Sequence, residues 1–150
     1  MIPKKFFTLF FPLLLASGLS LTAKSDLLQV PVPFNGQPAI LPVDQAFIFS
    51  EVQQDQVLRL FWQIEPGYYL YRDKFHFEVV GPTGTASTIA VDIQPGIEKL
   101  DEIFGQVQVF EGLLELRLPN LAVDHTLRIK YQGCADAGYC YPPQVKVVKN

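Results

Sequence analysis

"VLRLFWQIEPGYYLYR", residues 57–72, alternates in its first half: Leu58, Leu60, Trp62 and Ile64 fall on one side of an extended chain, Arg59 and Gln63 on the other. That period of two is the signature of a half-buried β-strand. "EPG" supplies turn chemistry, and "YYLYR" resumes the run. Further strands are expected at "KFHFEVV" (Lys74 to Val80), "TASTIAVDI" (Thr85 to Ile93), "VQVFEG" (Val107 to Gly112), "LLELRL" (Leu113 to Leu118), "TLRIKY" (Thr126 to Tyr131) and "QVKVVK" (Gln144 to Lys149). "GPTG", "QPG", "EG" and "PN" separate them as turns. No sustained helical period interrupts the series, so the pattern predicts an all-β fold, an antiparallel β-sandwich of seven or eight short strands.

Upstream, residues 24–46 carry four prolines and no period, which predicts an extended arm along the domain. The first residues follow different rules. Lys4 and Lys5 precede an apolar run from Phe6 to about Leu15, and small residues follow up to Ala23. This is the layout of a secretory signal peptide, residues 1–23, with cleavage expected between 18 and 23. Pro12 interrupts the run, which falls short of the ~20 apolar residues of a spanning helix. Leu19 stands where a lipoprotein would need its cysteine. The expectation is therefore one exported domain, residues 24–150, with no membrane span after cleavage. Loss of Lys4 and Lys5 leaves ten basic against fifteen acidic side chains, a net charge of −5, which argues against binding to nucleic acid or an anionic membrane.

The only two cysteines, Cys134 and Cys140, stand in "YQGCADAGYCYPP" between two predicted strands, on a loop or hairpin at one end of the sandwich. Export favours an oxidised pair. A bridge closing a seven-residue ring stabilises a fold by only about 2 kcal/mol in the chain-entropy model, so it is a weak staple. Spacing alone leaves two readings open: a structural disulfide in a non-catalytic interaction module, or a working dithiol. Gly133, Ala135, Ala137 and Gly138 leave room for a partner to approach, and Tyr139 and Tyr141 offer interface-prone rings. Asp136 disfavours a second negative charge beside it.

The segment "YQGCADAGYCYPP", with "DQAFIFS", "WQIEPGYYLYRDKF" and "DEIFG" upstream, resembles the N-terminal periplasmic domain of the bacterial thiol:disulfide interchange protein DsbD. The resemblance implies an immunoglobulin-like sandwich whose redox-active disulfide, Cys134–Cys140, relays reducing equivalents without metal or organic cofactor. A thioredoxin-like domain would be the donor, and periplasmic disulfide isomerases or cytochrome c maturation thioredoxins the acceptors. Cys140 would form the mixed disulfide and Cys134 would resolve it. Asp101 and Glu102 match acidic residues beside the cysteines, Tyr69 and Tyr71 match aromatics lining the site, and Ile103, Phe104 and Gly105 belong to a cap loop over the disulfide. The family's capping position is usually aromatic; here it is Ile103, so an aromatic cap would require Phe104 to shift in.

His76 and His125 are the only histidines and lack metal-ligand spacing, so both read as strand-surface residues. Asp101 and Glu102 are adjacent and point apart, unlike a hydrolase pair.

Overall fold

A computed structural model of the chain describes residues 39–150. The predicted signal peptide and the arm up to residue 38 lie outside the described residues. Where the arm can be followed it is not extended to its end: Val43–Ala46 form a single helical turn, α1.

Twelve strands follow: β1 (Phe47–Gln54), β2 (Val57–Ile64), β3 (Tyr68–Tyr71), β4 (His76–Val80), β5 (Ala86–Ile89), β6 (Ile97–Asp101), β7 (Gly105–Phe110), β8 (Leu113–Pro119), β9 (Thr126–Tyr131), β10 (Gly133–Ala135), β11 (Tyr139–Cys140) and β12 (Gln144–Lys149). All pair antiparallel, in three sheets ordered β1-β2-β8, β12-β9-β4-β5 and β11-β10-β3-β7-β6. The all-β expectation holds. The strand count is higher because β1 and β6 carry weak alternation and β10–β11 is only a short hairpin. "TASTIAVDI" pairs only over Ala86–Ile89.

The alternating faces of β2 and β8 bury Leu58, Leu60, Trp62, Leu114, Leu116 and Leu118, facing Phe77, Leu127, Ile129 and Val148 of β4, β9 and β12 in one core. Trp62, fully buried, bridges the two layers through edge-on contacts with Phe75 at 5.2 Å and Tyr131 at 5.7 Å between ring centroids. β3 breaks the alternation because it is buried on both sides: Tyr68 and Leu70 enter this core, while Tyr69 and Tyr71 join Val109 and Cys134 in a second, smaller cluster. That second cluster holds Cys134 and packs against Cys140.

Candidate functional site

The chain leaves β9 at Tyr131 and enters β10 two residues later, so the strand that begins in one sheet delivers Cys134 into another. Only glycine fits at position 133. A Cβ there would collide with the Tyr69 carbonyl and lie 2.6 Å from a ring carbon of Phe47. This close approach sets Gly133, Cys134 and Ala135 in register with Leu70, Tyr69 and Tyr68. The hairpin then turns through Asp136, Ala137 and Gly138, with Gly138 at φ +84°, where a left-handed residue is needed. Cys140 returns directly opposite Cys134, and the two form a disulfide with Cα atoms 4.0 Å apart.

The next residue, Tyr141, fixes the returning strand. Its ring packs edge-on to Phe47 at 5.4 Å, its hydroxyl donates to the Leu41 carbonyl at 2.6 Å, and the Leu41 amide donates to the Tyr68 hydroxyl at 2.9 Å. Burial, helped by neighbouring Tyr68, pushes the Tyr141 phenol up to about 12, so it remains a donor across the physiological range.

The two sulfurs are unequal. Cys134 is fully buried, whereas Cys140 is partly exposed and lines a cleft of about 230 Å³ with Tyr69, Lys99, Asp101, Ile103 and Asp136. Asp101, 8% exposed, organises the cleft. Its Oδ2 accepts from the hydroxyls of Tyr71 at 2.6 Å and Tyr69 at 3.1 Å. Its Oδ1 accepts from the amides of Ile103 at 2.8 Å and Phe104 at 2.9 Å, an Asx turn that shapes the β6–β7 connection. Burial pushes the carboxyl up, but the bonds from Tyr71, from the Phe104 and Ile103 amides and from Tyr69 outweigh it and hold the group at about 2. The Tyr71 phenol is pushed far up by burial and then by the adjacent carboxylate. It donates to Asp101, which leaves an oxygen lone pair facing Cys134 Sγ at 3.1 Å.

The turn beyond Asp101 ends at Gly105, φ +73°, opposite Asp101 in register. Ile103 and Phe104 part company within it. Ile103, 70% exposed, lines the cleft with Cys140; Phe104 turns to the far side of Tyr71, edge-on at 5.3 Å, under the ammonium of Lys74 at 4.1 Å. Glu102 is exposed at the cleft rim while its neighbour Asp101 is buried, so the two carboxylates do point apart.

Lys99 had no place in the sequence reading. Its ammonium lies 2.8 Å from Asp136 Oδ1 and 4.5 Å from the centre of the Tyr69 ring. Its one signal was the two-residue step to Asp101, visible only once Ile97–Asp101 is recognised as a strand. The histidines lie apart from the site: His76 is exposed on β4, and His125 occupies the turn before β9 rather than a strand, its Nδ1 2.9 Å from the Val123 carbonyl. Among the described residues no group of three His, Cys, Asp or Glu is placed to hold a metal ion.

Comparison with known proteins bears directly on this geometry. Residues 37–150 match the family model described as thiol:disulfide interchange protein DsbD, N-terminal. The chain is 42% identical over 116 residues to DsbD of Yersinia pestis, covering 76% of this chain and 19% of that protein. It is 43% identical over 133 residues to DsbD 2 of Pseudomonas aeruginosa, covering 88% and 22%. It thus spans about a fifth of the length of these relatives. Among solved structures, the reduced DsbD N-terminal domain of Neisseria meningitidis superimposes with a TM-score of 0.62 at 26% identity, over 74% of this chain and 89% of that one. The same organism's DsbD N-terminal domain in complex with the PilB N-terminal domain gives 0.60 at 28% identity, over 73% and 86%. A β-sandwich with a disulfide hairpin at the end of one sheet, matched along nearly all its described length, leaves one assignment: the chain belongs to the family of the N-terminal domain of the thiol:disulfide interchange protein DsbD.

Proposed function

We propose that this domain is exported to the periplasm, with residues 1–23 as its signal, and there passes reducing equivalents to partner proteins through Cys134 and Cys140. The observation that carries the reading is the inequality of the sulfurs: one fully buried, the other reachable through a cleft. Exchange needs in-line access to a single sulfur, and a buried neighbour close enough to displace the partner afterwards.

In the forward direction the Cys140 thiolate attacks one sulfur of a partner's disulfide. A Cys140–partner bond forms, and the partner's second sulfur leaves as a thiolate. Cys134, once deprotonated, attacks Cys140 Sγ, restores the intramolecular bridge and releases the partner with both sulfurs reduced. Two electrons have moved outward. A thioredoxin-like domain run in the opposite sense recharges the pair. Periplasmic disulfide isomerases and cytochrome c maturation thioredoxins are the acceptors this reading names, and the Neisseria complex with the PilB N-terminal domain supports docking of a partner domain by this fold. Ile103 serves as the cap over Cys140, Asp101 holds the cap turn, and Tyr69 and Tyr71 carry Asp101.

The test is covalent trapping. Cys134→Ser, incubated with an oxidised thioredoxin-like domain, is expected to accumulate a mixed disulfide through Cys140 that Cys140→Ser abolishes. Failure to trap any such domain overturns the relay and returns the pair to a structural role.

A further inference from the structure

The cleft beside Cys140 presents three carboxylates, from Asp101, Glu102 and Asp136, and among the described residues lining it one ammonium, from Lys99. Each carboxylate opposes a thiolate at Cys140. The hydroxyls of Tyr69 and Tyr71 offer no relief, because both donate to Asp101. Glu111, beyond β7, acts on Lys99 only at longer range. A sulfur that must ionise to react therefore faces carboxylates on both sides.

Lys99 is placed to counter this. It rises from β6 on the same face as Asp101, lies along the Tyr69 ring and reaches across to the hairpin tip, where it meets Asp136. Its side chain is 30% exposed, so its field is less screened than that of a fully solvated lysine. While the disulfide is closed neither sulfur carries charge, and Asp136 is the anion Lys99 contacts. When the disulfide opens, a second anion can form in the same cleft.

We propose that Lys99 is the counter-ion of the Cys140 thiolate, held ready by Asp136 while the disulfide is closed. This rests on the preceding assignment of Cys140 as the attacking sulfur. Charge then follows the chemistry. The thiolate forms beside Lys99 and attacks a partner sulfur, negative charge passes to the partner's departing sulfur, which takes a proton from solvent, and Lys99 returns to Asp136. Lys99 touches no reacting atom in the closed form; it is a positioning residue whose effect is electrostatic.

The experiment uses the full chain carrying Cys134→Ser, which leaves Cys140 as the sole thiol. Its alkylation by iodoacetamide is followed by mass spectrometry across pH. Lys99→Met and Lys99→Gln should raise the midpoint by about one pH unit, slowing alkylation about tenfold at neutral pH, with the high-pH plateau and melting temperature unchanged. Lys99→Arg should keep the parent midpoint. A midpoint unmoved in both neutral variants, or moved as far by Lys99→Arg, overturns the proposal. Alkylation requires no partner protein, so this outcome is independent of whether Cys134→Ser traps one.

Discussion

Tyr71 sets its hydroxyl 2.6 Å from Oδ2 of Asp101, and this contact ties the turn above the disulfide to the cluster beneath it. The other oxygen of the same carboxylate holds the Ile103 and Phe104 amides. Movement of the turn and disturbance around Cys134 are therefore transmitted through one side chain.

Asp101 should give the domain an acid-sensitive component of stability. Its carboxyl, at about 2, lies below the ordinary 3.8, so the folded state binds fewer protons than the unfolded chain between those values. The contribution is complete above the ordinary value and fades as pH falls toward 2. Urea unfolding from pH 5 to pH 2 should show this slope in the parent and a flatter one in Asp101→Asn; parallel curves would count against the network. Asp101→Ala, which strands two buried hydroxyls and two turn amides, should cost about 2–4 kcal/mol.

Ile103 and Phe104 should separate access from stability. Ile103→Ala opens the cleft while removing little buried surface, so a small thiol should reduce the disulfide several-fold faster at a nearly unchanged melting temperature. Phe104→Ala removes the contacts with Tyr71 and Lys74 and should cost about 1–2 kcal/mol, leaving the reduction rate nearly unchanged. Stopped-flow reduction and thermal melts distinguish the two; the reverse pattern would make Phe104 the cap.

Reducing the disulfide should leave the domain folded, with a loss of about 2 kcal/mol, since the ring spans only seven residues. Denaturant titrations with and without reductant measure the difference. Unfolding on reduction would instead favour a structural bridge.

Gly133→Ala should be among the most damaging single changes, about 3 kcal/mol or more, because the added methyl meets the Tyr69 backbone as well as two side chains. A melting temperature within a degree or two of the parent would contradict the close approach.

Much of this architecture can be read from period-two alternation, most clearly in β2 and β8, where one face meets the core and the other meets solvent. β1 escapes that reading because apolar Ile48 and Val52 lie exposed and, past Phe49, neither face of the strand is buried. β6 escapes because it is an edge strand with charged residues and only Asp101 buried. β3 shows no alternation because both its faces are covered. At the site, the cysteines and the residues around them follow from the family resemblance carried by "YQGCADAGYCYPP", "GYYLYR" and "DEIFG". The Lys99–Asp136 pair joins residues 37 apart in sequence, and Phe104 meets Lys74 of the helical turn after β3; both depend on register and side-chain direction, which spacing does not encode.

Tyr141, locked to Phe47 and Leu41 immediately after Cys140, has a kinetic consequence. With Gly133 held by its close approach to Tyr69 on one side of the pair and Tyr141 anchored on the other, the backbone flanking the cysteines is fixed independently of the bridge. In the relay proposed above, the pair would cycle on a fixed mount, and its pace would be set by partner arrival and by clearance of Ile103 rather than by refolding of the hairpin.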